Sequence, residues 1–265
     1  MQKSTLFSTL RLLRVGLHLL SGGIQTATVF PFADKALRDK LKRHWSRRLL
    51  QLLLIELAPP GDGIRGIKNG LLVANHISFI DIFAINAVLP SGFVAKSDVA
   101  GWPLIGWLSQ RNDTVFIERG KPRAAQLTRQ RILEVLKSGR RLAVFPEGTT
   151  TAGNQVLPFH GALFQGAIDA AAPVHCLAIE YFDACGQRCD AAAYIGDLSL
   201  VDCLRNIVAC GGMQVRITLA TSFPPPLPDR RHLAHSAHQA VAAVVRDGPP
   251  AEASQSVRNE AAISA

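Results

Sequence analysis

Apolar positions recur in short runs along most of this chain. From about residue 60 the runs are of strand length: Leu71–Ala74, Phe93–Ala95, Thr114–Ile117, Leu142–Phe145, Val174–Ile179 and Val215–Leu219. Helical patterns lie between them. The clearest covers Pro122–Ser138, where Pro122 suits a first turn, Leu127, Ile132, Val135 and Leu136 share an apolar face, and Gly139 marks the end. Gly161–Ala171, Leu198–Ala209 and Arg231–Val245 read as further helices. This alternation predicts an α/β domain over residues 59–246, a mostly parallel or mixed sheet flanked by helices.

Residues 1–58 follow another pattern. Thr5–Leu20 is apolar but interrupted by Arg11 and Arg14, and Val15–Ala33 lacks any charged residue but contains Gly22, Gly23 and Pro31 as breaks. A membrane-crossing helix needs about 20 mostly apolar residues, so this stretch stands at the border between spanning a bilayer and lying on it. A secretory leader fits less well, for want of a small-residue cleavage site. The run Lys35–Arg48 then holds seven basic residues against Asp39. Basic residues beside apolar helices suit an anionic lipid surface, each contributing about 1 kcal/mol there. Residues 1–58 are therefore expected to form a membrane-associated helical region. Pro224-Pro225-Pro226 reads as a stiff connector, and residues 247–265, polar and alanine-rich, as a disordered tail.

Composition narrows the class. The 265 residues are 48% hydrophobic and 18% charged, with a net charge of +9. The mean hydropathy of +0.17 is high for a soluble enzyme. Such a basic chain can meet nucleic acid, an acidic protein or an anionic membrane. Aromatics are only 6%, and no nucleic-acid-binding signature is present, so nucleic acid is not an expected partner. The five cysteines, Cys176, Cys185, Cys189, Cys203 and Cys210, are odd in number, as suits reduced thiols facing a cytosol. Cys185 and Cys189 lack a second close pair to complete a metal site, so no metal is expected.

Chemistry-bearing groups cluster where the predicted strands end. Asn75-His76-Ile77-Ser78-Phe79-Ile80-Asp81 follows the first run. A neutral imidazole takes a proton from a hydroxyl, and a carboxylate behind it fixes its tautomer and stabilises the imidazolium. Positions five apart stand about 140° apart on an ideal helix. The pair meets only if His76 lies in the turn and Asp81 in the helix, with Asn75 or Ser78 as candidate cap. Pro146-Glu147-Gly148-Thr149-Thr150-Thr151 ends a second run; Gly148 allows close backbone approach to a ligand and offers an N–H to an anion. Glu118-Arg119 ends a third, and an arginine there can hold a phosphate through paired hydrogen bonds.

The order His76…Asp81, Phe116-Ile117-Glu118-Arg119, Phe145-Pro146-Glu147-Gly148-Thr149 and Ala172-Pro173-Val174 resembles the glycerolipid acyltransferases, in particular their bacterial lysophosphatidate acyltransferase branch. The resemblance covers about residues 70–180. It implies an enzyme that transfers a fatty acyl group from acyl-CoA or acyl-acyl carrier protein to the free hydroxyl of a lysolipid acceptor, without a bound cofactor. His76 is then the general base and Asp81 its partner. Arg119, Glu147, Gly148 and Thr149 are implied in binding the acceptor, while Asn75, Ser78, Thr150 and Pro173 are candidates for the pocket. It also implies work at the cytoplasmic face of a bacterial inner membrane. One departure bears on the acceptor. Lysophosphatidate-type members commonly carry arginine after Pro-Glu-Gly-Thr, and here the position is Thr150. Lysophosphatidate stays the first expectation because Arg119 is present; a phosphate-free lysolipid such as lyso-ornithine lipid is the alternative. Readings from other classes are an inactive basic membrane-binding protein and a thioester hydrolase.

Two further patterns carry less. Gly61-Asp62-Gly63-Ile64-Arg65-Gly66 fits a dinucleotide fingerprint but precedes a strand instead of following one, so it reads as a turn or hairpin. His232, His235 and His238 recur every three residues and read as a polar helix face, and His160 as a pocket-lining neighbour without a reaction role.

Overall fold

The computed structural model describes residues 2–101, 105–117 and 122–247. Seven strands form one sheet: β1 (Ile55–Leu57), β2 (Gly70–Ala74), β3 (Gly92–Lys96), β4 (Val115–Ile117), β5 (Arg141–Val144), β6 (Val174–Asp183) and β7 (Met213–Phe223). Their order across the sheet is β1-β7-β6-β2-β5-β3-β4. All neighbours run parallel except β6 and β7, which form a long antiparallel pair. The expected mixed sheet is therefore present. β6 and β7 extend well past the sequence runs that marked them, because they pair with each other along their whole length, from Val174 with Phe223 to Asp183 with Met213.

The core follows the two-residue period of the strands. On β2, Leu72 and Ala74 pack on one face with Leu177, Ile179 and Val215. That face is covered by α1 (Gln2–Thr28), α2 (Lys35–Leu52), α4 (Ile80–Val88) and α8 (Leu200–Cys210), through residues such as Leu49, Ile80 and Ile207. Leu71 and Val73 pack on the other face with Leu142, Val144 and Cys176, beneath α6 (Pro122–Lys137), α7 (Gln165–Asp169) and α9 (Arg230–Asp247). Every residue of β2 is buried, as expected for a central strand covered on both sides.

The N-terminal region departs from the expected plan in three ways. Gly22 and Gly23 do not break α1, which continues to Thr28. Gly22 is instead a contact point: a Cβ there would stand 2.8 Å from the Trp45 indole. Trp45 stacks on His18 at 4.6 Å and donates its indole N–H to the His18 carbonyl. Among the described residues no helix is long and apolar enough to cross a membrane, so a span over Val15–Ala33 is not supported. Nor does residue 58 divide two bodies. Leu49, Leu50 and Leu53 are in the main core, and β1 pairs with β7.

Part of the basic run also faces inward. Lys42 is buried, pairs with Asp113 at 3.5 Å, and has its ammonium pushed below its usual range by burial. Arg47 donates to the Ala87 carbonyl. Asp39 meets Arg141 of β5 at 3.2 Å.

The glycine-rich segment Gly61–Gly66 forms a single helical turn, α3 (Asp62–Arg65), that leads into β2; it is neither a hairpin nor a phosphate loop. The stretch Gly161–Ala171, expected as one helix, is a 3-10 turn (Gly161–Phe164) followed by the short α7. The expected tail lies outside the described residues beyond 247, as do Glu118 and Arg119.

Candidate active site

Register brings the first two motifs together. β2 and β5 are adjacent and parallel, with Val73 opposite Val144. His76 and Glu147 each follow three positions later, so they emerge side by side at the C-terminal edge of the sheet, where α/β folds gather ligands. The Glu147 carboxylate accepts the His76 backbone N–H through Oε1 and the Leu157 N–H through Oε2, both at 2.7 Å. Burial pushes this carboxyl above its usual range; the bonds from Leu157 and His76 pull it back. Thr151 adds a bond from its N–H to the His76 carbonyl at 2.9 Å. The turn that carries His76 is thus held on both backbone groups by the segment after β5.

His76 lies in the turn and Asp81 in the first turn of α4, as their spacing required. Imidazole Nδ1 stands 2.9 Å from Asp81 Oδ2. That oxygen also accepts the N–H groups of Ile77 and Ser78, at 2.7 and 2.9 Å. Asp81 therefore ties the preceding turn to the start of α4; the N-cap position is Phe79, without a side-chain cap bond, and neither Asn75 nor Ser78 caps the helix. Three N–H donors on one carboxylate oxygen fix both the aspartate and the imidazole tautomer that carries its proton on Nδ1. The remaining nitrogen, Nε2, then holds the lone pair. Among the described residues it has no hydrogen-bond partner, and the His76 side chain keeps 19% exposure. Phe145 stacks on the other side of the ring at 4.0 Å and 9°.

The last strand of this edge is β6. Asn75 is fully buried and exchanges two hydrogen bonds with the Ile179 backbone. Two residues on, Tyr181 donates its hydroxyl to Asp81 Oδ1 at 2.8 Å. Sequence reading missed Tyr181: one tyrosine in an apolar strand, one hundred positions from its partner, carries no local signal. Beside Ile77 opens a cleft of about 260 Å3, lined also by Asn154, Tyr181, Arg188 and Asp190. Arg188 pairs with the buried Glu180 at 2.8 Å.

The other expected site residues fall as follows. Gly148 adopts φ +71°, a left-handed conformation that glycine takes without strain, and Thr149 is exposed beside it. The Thr150 hydroxyl is bonded to the Tyr194 carbonyl in the segment between β6 and α8. Tyr194 in turn donates its N–H to the Ile77 carbonyl at 2.9 Å, so Thr150 anchors a wall of the site. Ser78 is buried. Pro173 is not in the site. It precedes β6, and Val174 pairs with Leu71 at the start of β2, so Pro173 sits at the opposite edge of the sheet from His76. Among the described residues no group of three or more His, Cys, Asp or Glu side chains is placed to hold a metal. Of the histidine series, His238 bonds the Val156 carbonyl at 3.1 Å and packs edge-on to Phe159.

A histidine oriented by a buried carboxylate, at the C-terminal edge of a mostly parallel sheet, is an arrangement able to accept a proton from a hydroxyl. The Acyltransferase family profile matches residues 59–180. A 1-acyl-sn-glycerol-3-phosphate acyltransferase of Neisseria meningitidis is 39% identical over 181 residues, covering 68% of this chain and 71% of the relative. A lyso-ornithine lipid O-acyltransferase of Pseudomonas aeruginosa is 39% identical over 212 residues, covering 80% and 81%. The crystal structure of the 1-acyl-sn-glycerophosphate acyltransferase PlsC from Thermotoga maritima shares the fold, with a TM-score of 0.68 over 92% of this chain and 95% of that one, at 19% identity. The chain belongs to the glycerolipid acyltransferase superfamily, and it is an O-acyltransferase.

Proposed function

We propose that the protein transfers a fatty acyl group from a thioester to the free hydroxyl of a lysolipid, with His76 as general base. The single observation that carries this reading is the His76–Asp81 bond, with Nε2 lacking a hydrogen-bond partner among the described residues. Nε2 takes the acceptor's hydroxyl proton as its oxygen attacks the thioester carbonyl. Asp81 stabilises the imidazolium. The tetrahedral intermediate then collapses, the C–S bond breaks, and the leaving thiolate takes the proton back from His76. The donor is acyl-CoA or acyl-acyl carrier protein, either of which is acidic and complements the basic chain.

Two acceptors share this chemistry. Lysophosphatidate is the first reading, supported by Arg119 in the sequence and by the neisserial relative's activity. The second is a phosphate-free acceptor of the lyso-ornithine type. Two observations favour it: Thr150 stands where an arginine is common and is bonded to Tyr194, and no hydrogen bond or ion pair described at His76, Asp81 or Glu147 involves a lysine or arginine. The cleft beside Ile77 also carries both signs of charge, Arg188 and Asp190, which suits a zwitterionic amino-acid headgroup.

The helix pair α1–α2 supplies the membrane contact in this proposal. Leu13, Leu17, Leu20 and Ile24 share one face of α1 and are each more than half exposed, and Phe32 is 91% exposed. A groove of about 550 Å3 beside this stripe is lined by Arg14, Leu17, His18, Ser21, Arg48 and Leu52, mixing apolar walls with cations. Such a surface suits the anionic cytoplasmic face of a bacterial inner membrane.

The test is direct. Membranes containing the protein are incubated with each donor and a panel of lysolipids, and acylated products are resolved. His76→Ala is expected to lower turnover by about 10²–10⁴-fold while its melting temperature stays close to wild type. Near-wild-type transfer by that variant removes the base. Product from lyso-ornithine lipid but not lysophosphatidate selects the second acceptor.

A further inference from the structure

Tyr181 sits where a third member of the His76–Asp81 relay would sit. Asp81 is fully buried, and its two oxygens divide their work. Oδ2 takes the three N–H groups of His76, Ile77 and Ser78. Oδ1 takes the Tyr181 hydroxyl at 2.8 Å and has no other hydrogen bond among the described residues. Tyr181 is itself 3% exposed. Its backbone is held in register by pairing with Val215 on β7 and by the Cys189 N–H on its carbonyl at 2.9 Å. The ring therefore has little freedom to withdraw from Asp81.

From this arrangement we infer that Tyr181 is a positioning residue for catalysis: its hydroxyl holds the Asp81 carboxylate in the plane that orients His76 and sets how strongly that carboxylate favours the imidazolium. Nothing in the chemistry requires Tyr181 to touch substrate. Burial first, and then the facing carboxylate, push its phenol well above the ordinary range, so it stays protonated and can only donate to Asp81. The inference rests on His76 being the base.

Loss of the hydroxyl has two opposing consequences. The carboxylate loses one of four donors and is freer to rotate, which misplaces Nε2 and slows turnover. It also carries a less compensated negative charge, which favours the imidazolium over the neutral base. Other titratable groups near the pair are Glu147, after β5, and Cys203, on α8; neither is altered by a change at Tyr181.

The experiment compares wild type, Tyr181→Phe, Asp81→Asn and the double variant, all full length in membranes. Phenylalanine keeps the ring that fills the core. The expected result for Tyr181→Phe is a fall in kcat of about tenfold, the size of one hydrogen bond to a charged group. Acceptor KM should be little changed, and the acid limb of the kcat–pH profile should move to higher pH. Adding Tyr181→Phe to Asp81→Asn is expected to cost little more, because the hydroxyl acts through the carboxylate. A lowered melting temperature with an unmoved pH profile and unchanged kcat at permissive temperature makes Tyr181 a packing residue and overturns the inference. Independent, multiplicative losses in the double variant also overturn it. If His76→Ala alone retains turnover, the general-base reading fails instead, and that result is separable from the other two.

Discussion

Asn75 and Ile179 are joined as if by one extra rung of a β-ladder. The Asn75 amide donates to the Ile179 carbonyl at 2.9 Å, and its oxygen accepts the Ile179 N–H at 2.7 Å. The last backbone pair between β2 and β6 is Ala74 with Leu177. A side chain thus takes over where the turn toward His76 carries the main chain of β2 away. Asparagine suits this place because it presents one donor and one acceptor at its tip.

Asn75→Ala is accordingly expected to cost about 2–3 kcal/mol, since it orphans a buried N–H and a buried carbonyl together. Asn75→Asp should be no milder, because a carboxylate accepts from Ile179 N–H but repels its carbonyl. Urea denaturation of the detergent-solubilised protein reads both; a stability within about 0.5 kcal/mol of wild type for either variant contradicts the ladder role.

Glu147 invites a test that separates bracing from substrate binding. Each carboxylate oxygen faces a backbone N–H, and an amide can satisfy only one of them. Glu147→Gln turns an NH2 group toward a backbone donor and loosens the His76 turn. A displacement of the base by about 1 Å costs on the order of 10²-fold, so kcat should fall by about 10–100-fold while acceptor KM holds. A raised KM with kcat preserved assigns Glu147 to the acceptor instead.

Arg188 should matter more at neutral than at acidic pH. Its partner Glu180 is 1% exposed, and burial raises the carboxyl, with Arg188 and Arg216 pulling it back. A carboxyl raised in the folded state contributes stability that is full below its unfolded range and is lost as pH rises through the folded value. Arg188→Ala removes the nearest compensating cation and deepens that loss. The expected cost is about 1–3 kcal/mol at about pH 8, less than for a fully buried pair because the Arg188 side chain is 36% exposed. The cost should shrink as pH falls to about 4, where Glu180 is protonated. Melting curves across this range, with an equal cost at both ends, would contradict the assignment.

The apolar stripe on α1 gives a fourth expectation. Leu17→Glu with Leu20→Glu places two charges on an exposed face that makes little contact with the core. Stability should change by less than about 0.5 kcal/mol, while binding to anionic vesicles drops sharply. Unchanged co-sedimentation with vesicles excludes this stripe as the membrane contact.

Local patterns announced much of the fold. β2 and α6 lie within a residue of their sequence marks, because a continuous apolar run and a Pro-to-Gly helical repeat are short-range signals. β1 was hidden. Its three residues end the run Leu49–Leu57, whose first part is helical, and only the turn at Leu54, with φ +56°, divides them. The pairing of His76 with Asp81 was legible from spacing, and Glu147 from its motif. What Glu147 touches was not, because its partners are backbone N–H groups that have no letter in the sequence. Tyr181 and the Asn75–Ile179 exchange depend on contacts across about one hundred positions, which only the completed sheet brings together.

The late place of β6 and β7 in the chain therefore has a consequence during synthesis. A nascent chain that has emerged only as far as the Pro146–Thr151 turn after β5 already contains His76, Asp81 and Glu147, yet it lacks Ile179 and Tyr181, which seat the aspartate and its turn. His76 and its aspartate are then present but unaligned. Under the proposed mechanism their alignment, and with it turnover, waits on the arrival of β6 in the sheet.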